Sequence, residues 1–324
     1  MKVNRETIRH RFPVLTDVVL NDVVPRVTDA VLAPVITRRA RVLLRNEPFP
    51  LPHKVELELV NRCNNTCPFC PVNRKVDPRE MVRMEDSLFE SVIDQLASLG
   101  FSGRLALHSN NEPLLDRRIY EFARRAKGAL PGALVYLQTN GKRLTLERFI
   151  ELARSLDRIV INNYDDDLKM IAPVGAVYEY CRNHAWAGDK VTINMKRLNI
   201  RRSNRADSAP NRRIQARPMR SACFRPFTEM IIRPDGKLSL CCFDALGRMT
   251  LGDLNATGLI DAWNGAAYRE VREAMIAGRA SLPICATCDE VLLGERLAVV
   301  ERHGHAANVA SLLRGLLGGE RTSP

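Results

Sequence analysis

The sequence predicts an α/β protein: a parallel sheet, open or curled into a partial barrel, followed by a small C-terminal unit built around cysteine. Three observations carry this expectation. From residue 53 onward, short β-prone runs alternate with helical periods, the rhythm of βαβ units. Polar residues gather at or after the C-terminal ends of those runs, at 61–67, 108–112, 139–141, 162–164 and 194–197. In a parallel sheet these ends share one rim, and sites form on that rim. Finally, nine cysteines stand at 63, 67, 70, 181, 223, 241, 242, 285 and 288, in two tight groups and one adjacent pair.

Bulk properties set the frame. A chain of 324 residues hides roughly 75% of its extended surface on folding, so a sizeable core is available. Apolar residues at 45% and charged residues at 27% are ordinary for a folded protein and exclude a disordered or collagen-like chain. The formal charge of +12 suits anionic ligands without establishing nucleic-acid binding. No run of 18 apolar residues occurs; the most apolar early stretch, Val18 to Ile36, is broken by Asp22, Pro25, Arg26 and Asp29, so a membrane span is not expected. Met1-Lys2-Val3-Asn4-Arg5-Glu6 has no apolar segment behind it, so the expectation is no signal peptide and a cytoplasmic protein.

Taken in order, residues 1–50 read as a mainly helical extension punctuated by Pro13, Pro25, Pro34 and Pro48. Residues 51–220 form the (β/α) unit. Its first strand is 55–60, alternating Val55-Glu56-Leu57-Glu58-Leu59-Val60 and running almost directly into Cys63. A helix at 86–99 shows Leu88, Val92, Ile93, Leu96 and Leu99 on one face. Strands at 105–108, 134–138, 159–161 and 191–195 follow, with helices near 116–127, 145–155 and 167–184; one of Asp165, Asp166 and Asp167 is placed to cap the last of these. Residues 196–220 carry nine Lys or Arg and one acid, Asp207, and read either as a solvated basic face or as arginines turned toward an anionic ligand. Residues 221–290 hold a hairpin signal around Asp235-Gly236, then one or two short helices within 257–277. A helix and tail at 291–324 close the chain, and no repeat of fixed period is present.

In a reducing compartment these cysteines point to metal or redox chemistry rather than disulfides. Cys181 suits a plain core position. The first group does not, because Asn64, Asn65, Thr66 and Pro68 between its members are not core residues. Cys63, Cys67 and Cys70 put three thiolates on one tight loop. Zinc would need a fourth ligand, which Cys223 or Cys241 could supply. Three ligands directly after the first parallel strand instead suggest a cubane iron–sulfur cluster with one iron open to a chelating ligand.

The C-x3-C-x2-C pattern after the first strand, with Phe69 before its last cysteine, resembles the radical S-adenosylmethionine (SAM) superfamily. Further segments agree. Asn110-Asn111-Glu112-Pro113-Leu114 is similar to the family's G-G-E-P segment, with asparagine at both glycine positions; Thr139-Asn140-Gly141 follows the third strand. Ser203-Asn204-Arg205-Ala206-Asp207 resembles an N-R-A-G segment, with Asp207 at the final glycine. Cys223 and Cys241, separated by 17 residues, together with Cys285-Ala286-Thr287-Cys288, resemble a shortened SPASM-like (twitch) auxiliary domain, as do Leu251-Gly252-Asp253-Leu254 and Ala262-Trp263-Asn264. The resemblance covers about residues 53–290.

It implies a partial (β/α)6 barrel with a small C-terminal auxiliary-cluster domain. It implies two [4Fe-4S] clusters, one on Cys63, Cys67 and Cys70 and one on Cys223, Cys241, Cys285 and Cys288, since four thiolates satisfy four irons. It implies SAM bound by Asn111, Glu112, Thr139, Asn140 and Asn162, with Arg197 or Arg205 on its carboxylate. Glu112 also reads simply as a surface acid before a helix. Cys242 is left over, either packed or facing the substrate, since adjacent strand residues point to opposite faces.

Two activities follow from the resemblance. One is oxidation of a carbinol carbon of an aminocyclitol or sugar-like metabolite, as in the amino-cyclitol dehydrogenases of antibiotic biosynthesis. There the auxiliary cluster takes the second electron, and Asp166 is a candidate proton acceptor. The other is epimerisation of an aminoglycoside, sugar or peptide, with Cys242 as hydrogen-atom donor. The implied partners are a small substrate, neutral or anionic, and a flavodoxin-like or ferredoxin-like electron donor, with no membrane and no nucleic acid. A zinc-stapled nucleic-acid-binding module would use the same thiolates and the basic stretch, but aromatic residues at 6% supply no stacking platform.

Overall fold

The computed structural model describes residues 1–5, 23–198, 203–211 and 217–290. The expected C-terminal helix and tail at 291–324 lie outside the described residues, as do parts of the N-terminal extension and of the basic stretch. Among the described residues no helix is long and apolar enough to cross a membrane.

The described residues form nine strands: β1 (Lys2–Arg5), β2 (Lys54–Leu57), β3 (Arg104–Ala106), β4 (Leu134–Thr139), β5 (Arg158–Tyr164), β6 (Val191–Lys196), β7 (Glu229–Ile232), β8 (Lys237–Ser239) and β9 (Thr250–Asp253). They make one sheet in the order β1-β6-β5-β4-β3-β2-β7-β8-β9. Every pairing from β1 to β7 is parallel; β7–β8 and β8–β9 are antiparallel. This is the expected α/β partial barrel, and β7 joins it directly by pairing with β2 from Lys54↔Glu229 to Leu57↔Ile232. The cysteine-bearing unit therefore extends the barrel sheet. At the other edge, β1 pairs with β6 from Lys2↔Thr192 to Arg5↔Met195. Four residues reading Lys-Val-Asn-Arg carry no apolar run, so this strand had no signal in the sequence.

The main helices are α1 (Val24–Leu44), α2 (Asp86–Ser98), α3 (Ile119–Ala129), α4 (Leu146–Ser155), α5 (Ala172–Asn183), α6 (Leu259–Asn264) and α7 (Ala266–Ala277). Helix α2 buries Leu88, Phe89, Val92, Ile93 and Leu96 against the sheet, the face its period specified. Phe89 stacks on Phe122 of α3 with centroids 4.0 Å apart. Each such fully buried side chain stabilises the fold by about 1.5–3 kcal/mol.

Helix α5 begins at Ala172, later than expected, and none of the three aspartates caps it. Asp165 instead accepts the backbone N–H groups of Asp167 (3.0 Å) and Lys169 (2.8 Å), closing a separate turn with Leu168 at φ 57°. Pro173 then sets the helix start, because its fixed φ is tolerated only in the first turn.

Helix α1 packs on α7 and on the short helical turn Arg225–Thr228. Buried Asp29 fixes this contact by accepting the backbone N–H groups of Arg220 and Ser221, both at 2.7 Å. Below it, the Arg272 guanidinium lies 3.9 Å from the Phe49 ring centroid and 4.2 Å from that of Trp263, while Trp263 Nε1 donates to the Pro50 carbonyl at 2.8 Å. These contacts bind the N-terminal segment to the auxiliary unit.

Candidate functional site

The loop leaving β2 is held from below by Arg79. Its Nη1 donates to Glu58 at 3.1 Å, its Nε and Nη2 to Asp77 at 3.0 Å, and its Nη2 to the Asn61 carbonyl at 3.2 Å. Asn73 Nδ2 donates to the carbonyls of Cys67 (3.1 Å) and Cys70 (2.8 Å), and the Asn65 N–H donates to Cys63 Sγ at 3.4 Å. Thus Cys63, Cys67 and Cys70 share one tightly bonded turn. Burial pushes the Cys63 and Cys67 thiols up to about 12, and the Cys70 sulfur adds to both shifts. Cys63 and Cys67 so buried resist ionisation as bare groups, whereas a polynuclear iron cation takes cysteines as thiolates. The donor set fits an iron–sulfur cluster.

These cysteines line a cavity of 190 Å³ that also takes in Asn111, Glu112, Thr139, Asn140, Asn162 and Arg205. Glu112 is buried and acts as a clamp. Its Oε1 accepts Thr139 Oγ1 (2.7 Å) and the Leu114 N–H (3.2 Å), and its Oε2 accepts the Asn140 N–H (2.7 Å), tying the loop after β3 to the end of β4. Burial nonetheless raises its pKa above the usual carboxylate range. Asn140 Nδ2 donates to Asn64 Oδ1 at 2.7 Å, beside Cys63. Gly141 turns the chain at φ +76°, and a Cβ there would lie 2.6 Å from Val174 Cγ2. Asn162 donates to Gln138 Oε1 (3.2 Å) and accepts from Asn194 Nδ2 (3.1 Å), an amide ladder across three strands.

Arg205 reaches the same cavity from a strained turn. Arg205, Ala206 and Asp207 are all left-handed, at φ 49°, 52° and 65°. Each costs roughly 1–2 kcal/mol in a residue bearing Cβ. Arg205 Nη2 donates to Asn110 Oδ1 and, at 3.2 Å, to the Cys242 carbonyl. Three buried donors of this cavity have no hydrogen-bond partner among the described residues: Asn65 Nδ2, Asn111 Nδ2 and Arg205 Nε. Buried orphans of this kind cost about 1–3 kcal/mol each, so the cavity is built for a ligand rich in acceptors. The carboxylate and ribose of SAM are such acceptors.

A second cavity of 570 Å³ adjoins the first, and His108, Ser109, Asn110, Gln138 and Arg205 line both. Its inner end carries Lys54, Glu56, Glu229 and Cys242. Lys54 Nζ lies 2.7 Å from Glu56 Oε1 and 3.1 Å from Glu229 Oε2, and Ser109 Oγ donates to Glu56 Oε2 at 2.7 Å. Burial alone would raise the Glu56 carboxyl, but the charge and hydrogen bond of Lys54, with His108 beside it, together hold the group below its usual range. Glu56, Glu229 and Cys242 offer ligand atoms within 4.8 Å of one another. Lys54 and Arg225 already supply two cations to this trio, which argues against a metal ion there. The His108 Nδ1 accepts the Gln138 N–H at 3.1 Å, and burial lowers its pKa to about 4, so the ring is neutral.

Cys223, Cys241, Cys285 and Cys288 line one further small pocket. Burial drives the Cys288 thiol to about 12 and raises Cys241 and Cys285 as well. Four thiol donors match the four irons of a cubane. Cys242, the next residue after Cys241, lines the 570 Å³ cavity instead. Between the two spaces lies Arg225, buried, with Nη1 donating to Glu229 Oε2 and Cys242 Sγ (2.9 Å each) and Nη2 to Glu290 Oε1 at 3.0 Å.

Of the residues singled out from the sequence, Asp166 and Arg197 line neither cavity. Asp166 is exposed and accepts the Leu198 N–H at 2.9 Å; Arg197 follows β6 outside both spaces. Conversely, Lys54, Glu56, Gln138, Arg225 and Glu229 were not identified from sequence, and His108 was placed at the rim without a role. Their signal was the polar alternation of β2 and the Arg-x3-Glu spacing at 225–229.

Residues 57–194 match the model of the radical SAM superfamily, and residues 223–289 match SPASM, an iron–sulfur cluster-binding domain. The chain is 24% identical over 245 residues to the S-adenosyl-L-methionine-dependent 2-deoxy-scyllo-inosamine dehydrogenase of Niallia circulans, covering 73% of this chain and 92% of that protein. Its fold is similar to BtrN in complex with AdoMet and 2-DOIA, with a TM-score of 0.64, 24% identity, and 75% and 94% of the two chains covered. It is also similar to selenomethionine BtrN in an open conformation, with a TM-score of 0.55 and 23% identity over 75% and 94% of the two chains.

Proposed function

The chain belongs to the radical SAM superfamily, and from that premise we propose that it oxidises a carbinol carbon of a small aminocyclitol or sugar-like metabolite to a ketone, using two [4Fe-4S] clusters. The observation that carries this reading is the placement of the 570 Å³ cavity. One end shares its lining with the three-cysteine cavity, and its other wall holds Cys242, the neighbour of Cys241 in the four-cysteine pocket. A substrate seated there has a radical source on one side and an electron acceptor on the other.

In this reading Cys63, Cys67 and Cys70 hold the cluster that binds SAM, and Cys223, Cys241, Cys285 and Cys288 hold the closed one. Bound there, SAM with the first cluster would supply a carbon-centred radical for hydrogen abstraction, and the second cluster would accept one further electron. Converting H–C–O–H to C=O removes one hydrogen atom, one proton and one electron. The chain's own residues position the reactants. Glu112 fixes the floor by clamping Thr139 and Asn140. Asn65, Asn111 and Arg205 offer the unfilled donors to SAM. Lys54, Glu56 and Glu229 present both signs of charge, which suits a polyol bearing an amino or anionic substituent. Glu56, ionised and inside the cavity, takes the hydroxyl proton at a carboxylate oxygen in place of exposed Asp166. The initial electron comes from a flavodoxin-like or ferredoxin-like donor, whose acidic surface suits a chain of charge +12.

Epimerisation remains the second reading, because the Cys242 thiol lines the same cavity and can return a hydrogen atom. One anaerobic assay separates the two: reconstituted protein with dithionite, SAM and a panel of aminocyclitols and aminoglycosides, in D₂O, followed by mass spectrometry. Oxidation gives 5′-deoxyadenosine and a product two mass units lighter. Epimerisation gives a product carrying one solvent deuterium. Absence of 5′-deoxyadenosine, or zinc in place of iron, would defeat both.

A further inference from the structure

We propose that Arg225 tunes the auxiliary cluster: its fixed positive charge, together with an N–H donated toward the cluster sulfurs, raises the cluster's reduction potential and makes it the better electron acceptor.

Arg225 bridges the two spaces in which the second half-reaction takes place, beside Phe243 and Glu290, which line both. It lines the pocket of Cys223, Cys241, Cys285 and Cys288, while its Nη1 binds Glu229 and Cys242, which line the substrate cavity. It is 2% exposed, so its charge is little screened by water. Its guanidinium is anchored at both terminal nitrogens and lies 4.5 Å from the Phe243 ring centroid, which fixes its position. The remaining donor, Nε, is buried and has no hydrogen-bond partner among the described residues. Arg279, the other arginine of this pocket, has its Nε and both terminal nitrogens bonded to Ser221 and Glu290. Cluster potentials respond to local charge and to hydrogen bonds on sulfur. The sign is definite. Reduction adds a negative charge to the cluster, and a buried cation or N–H donor stabilises the reduced state. Arginine holds its charge at every accessible pH, so the bias is constant.

The proposal rests on the two-cluster reading, and its test separates the two. The measurement is a redox titration of each cluster in reconstituted full-length protein, followed by electron paramagnetic resonance, with iron counted in parallel. Wild-type protein holds about eight irons per chain in two clusters. In Arg225→Met the auxiliary equilibrium shifts at least tenfold toward the oxidised form, a drop of about 59 mV, while the SAM-binding cluster keeps its potential. Arg225→Lys retains the charge without the Nε donor and falls between the two. About four irons in wild type would overturn the two-cluster reading itself. Eight irons with an unmoved auxiliary potential in both variants would overturn this proposal alone. Loss of the auxiliary iron in both variants would also overturn it, since Arg225 would then serve assembly rather than potential.

Discussion

Replacing Gly141 with alanine tests how closely the floor of the cofactor cavity is fitted. Gly141 sits at φ +76°, where a residue with Cβ pays roughly 1–2 kcal/mol. The new methyl would stand 2.6 Å from Val174 Cγ2 and 3.1 Å from Ile161 Cγ2, and both neighbours are fully buried and have nowhere to move. Overpacking of this kind costs about 1–3 kcal/mol. The smaller entropy of the unfolded alanine chain returns about 0.4–1 kcal/mol, leaving a net loss of about 2–4 kcal/mol. The effect also reaches the site, because the preceding residue, Asn140, bonds to Glu112 through its backbone and to Asn64 through its side chain. The assay is a denaturant titration of the anaerobically reconstituted protein, with SAM affinity measured alongside. Gly128→Ala is the control, since a Cβ on this α3 residue meets nothing within 4 Å and alanine favours the helix by up to about 1 kcal/mol. A Gly141→Ala protein within about 0.5 kcal/mol of wild type, with unchanged SAM affinity, would refute the reasoning.

Two further outcomes are expected. The neutral His108 makes stability depend on pH: its folded pKa lies near 4 against an ordinary 6.5, so the unfolded chain binds the extra proton as pH falls through that window. Its contribution, fully present above pH 6.5, falls by about 2 kcal/mol by pH 5, and His108→Gln removes this slope in denaturation curves at the two pH values; an unchanged slope contradicts the assignment. Cys67→Ser loses about half of the bound iron and all SAM cleavage, whereas Cys181→Ser, a buried position in α5, keeps both; full iron in Cys67→Ser rules out the three-cysteine site.

Much of the architecture was readable because hydrophobic period and polar strand ends report on the same sheet. The α2 face and the runs that became β2 to β6 follow that pattern, and the three-cysteine loop announces itself by spacing. The substrate end was hidden for a physical reason. Lys54, Glu56 and Glu58 alternate with Val55, Leu57 and Leu59 as on a half-wet strand, yet Glu56 and Glu58 are buried, because Glu56 faces a polar cavity rather than solvent and Glu58 is paired with Arg79. Likewise, Arg225 and Glu229 have the spacing of an exposed helical ion pair, and only the pairing of β7 with β2 brings them inside. The aspartates at 165–167 show the opposite error: local capping chemistry was present, but the turn used Asp165 and left Asp166 facing water.

The β2–β7 pairing also imposes a sequence of events on biogenesis. The strand that launches the cysteine loop is complete early in translation, but the neighbour that walls it off arrives more than half a chain later, roughly 10–30 s at ordinary ribosomal speed. During that interval the nascent loop lies open along one flank. Closure of the compartment around that loop therefore waits until β7 has been made and paired, and until then the half-made barrel depends on whatever guards its unpaired edge.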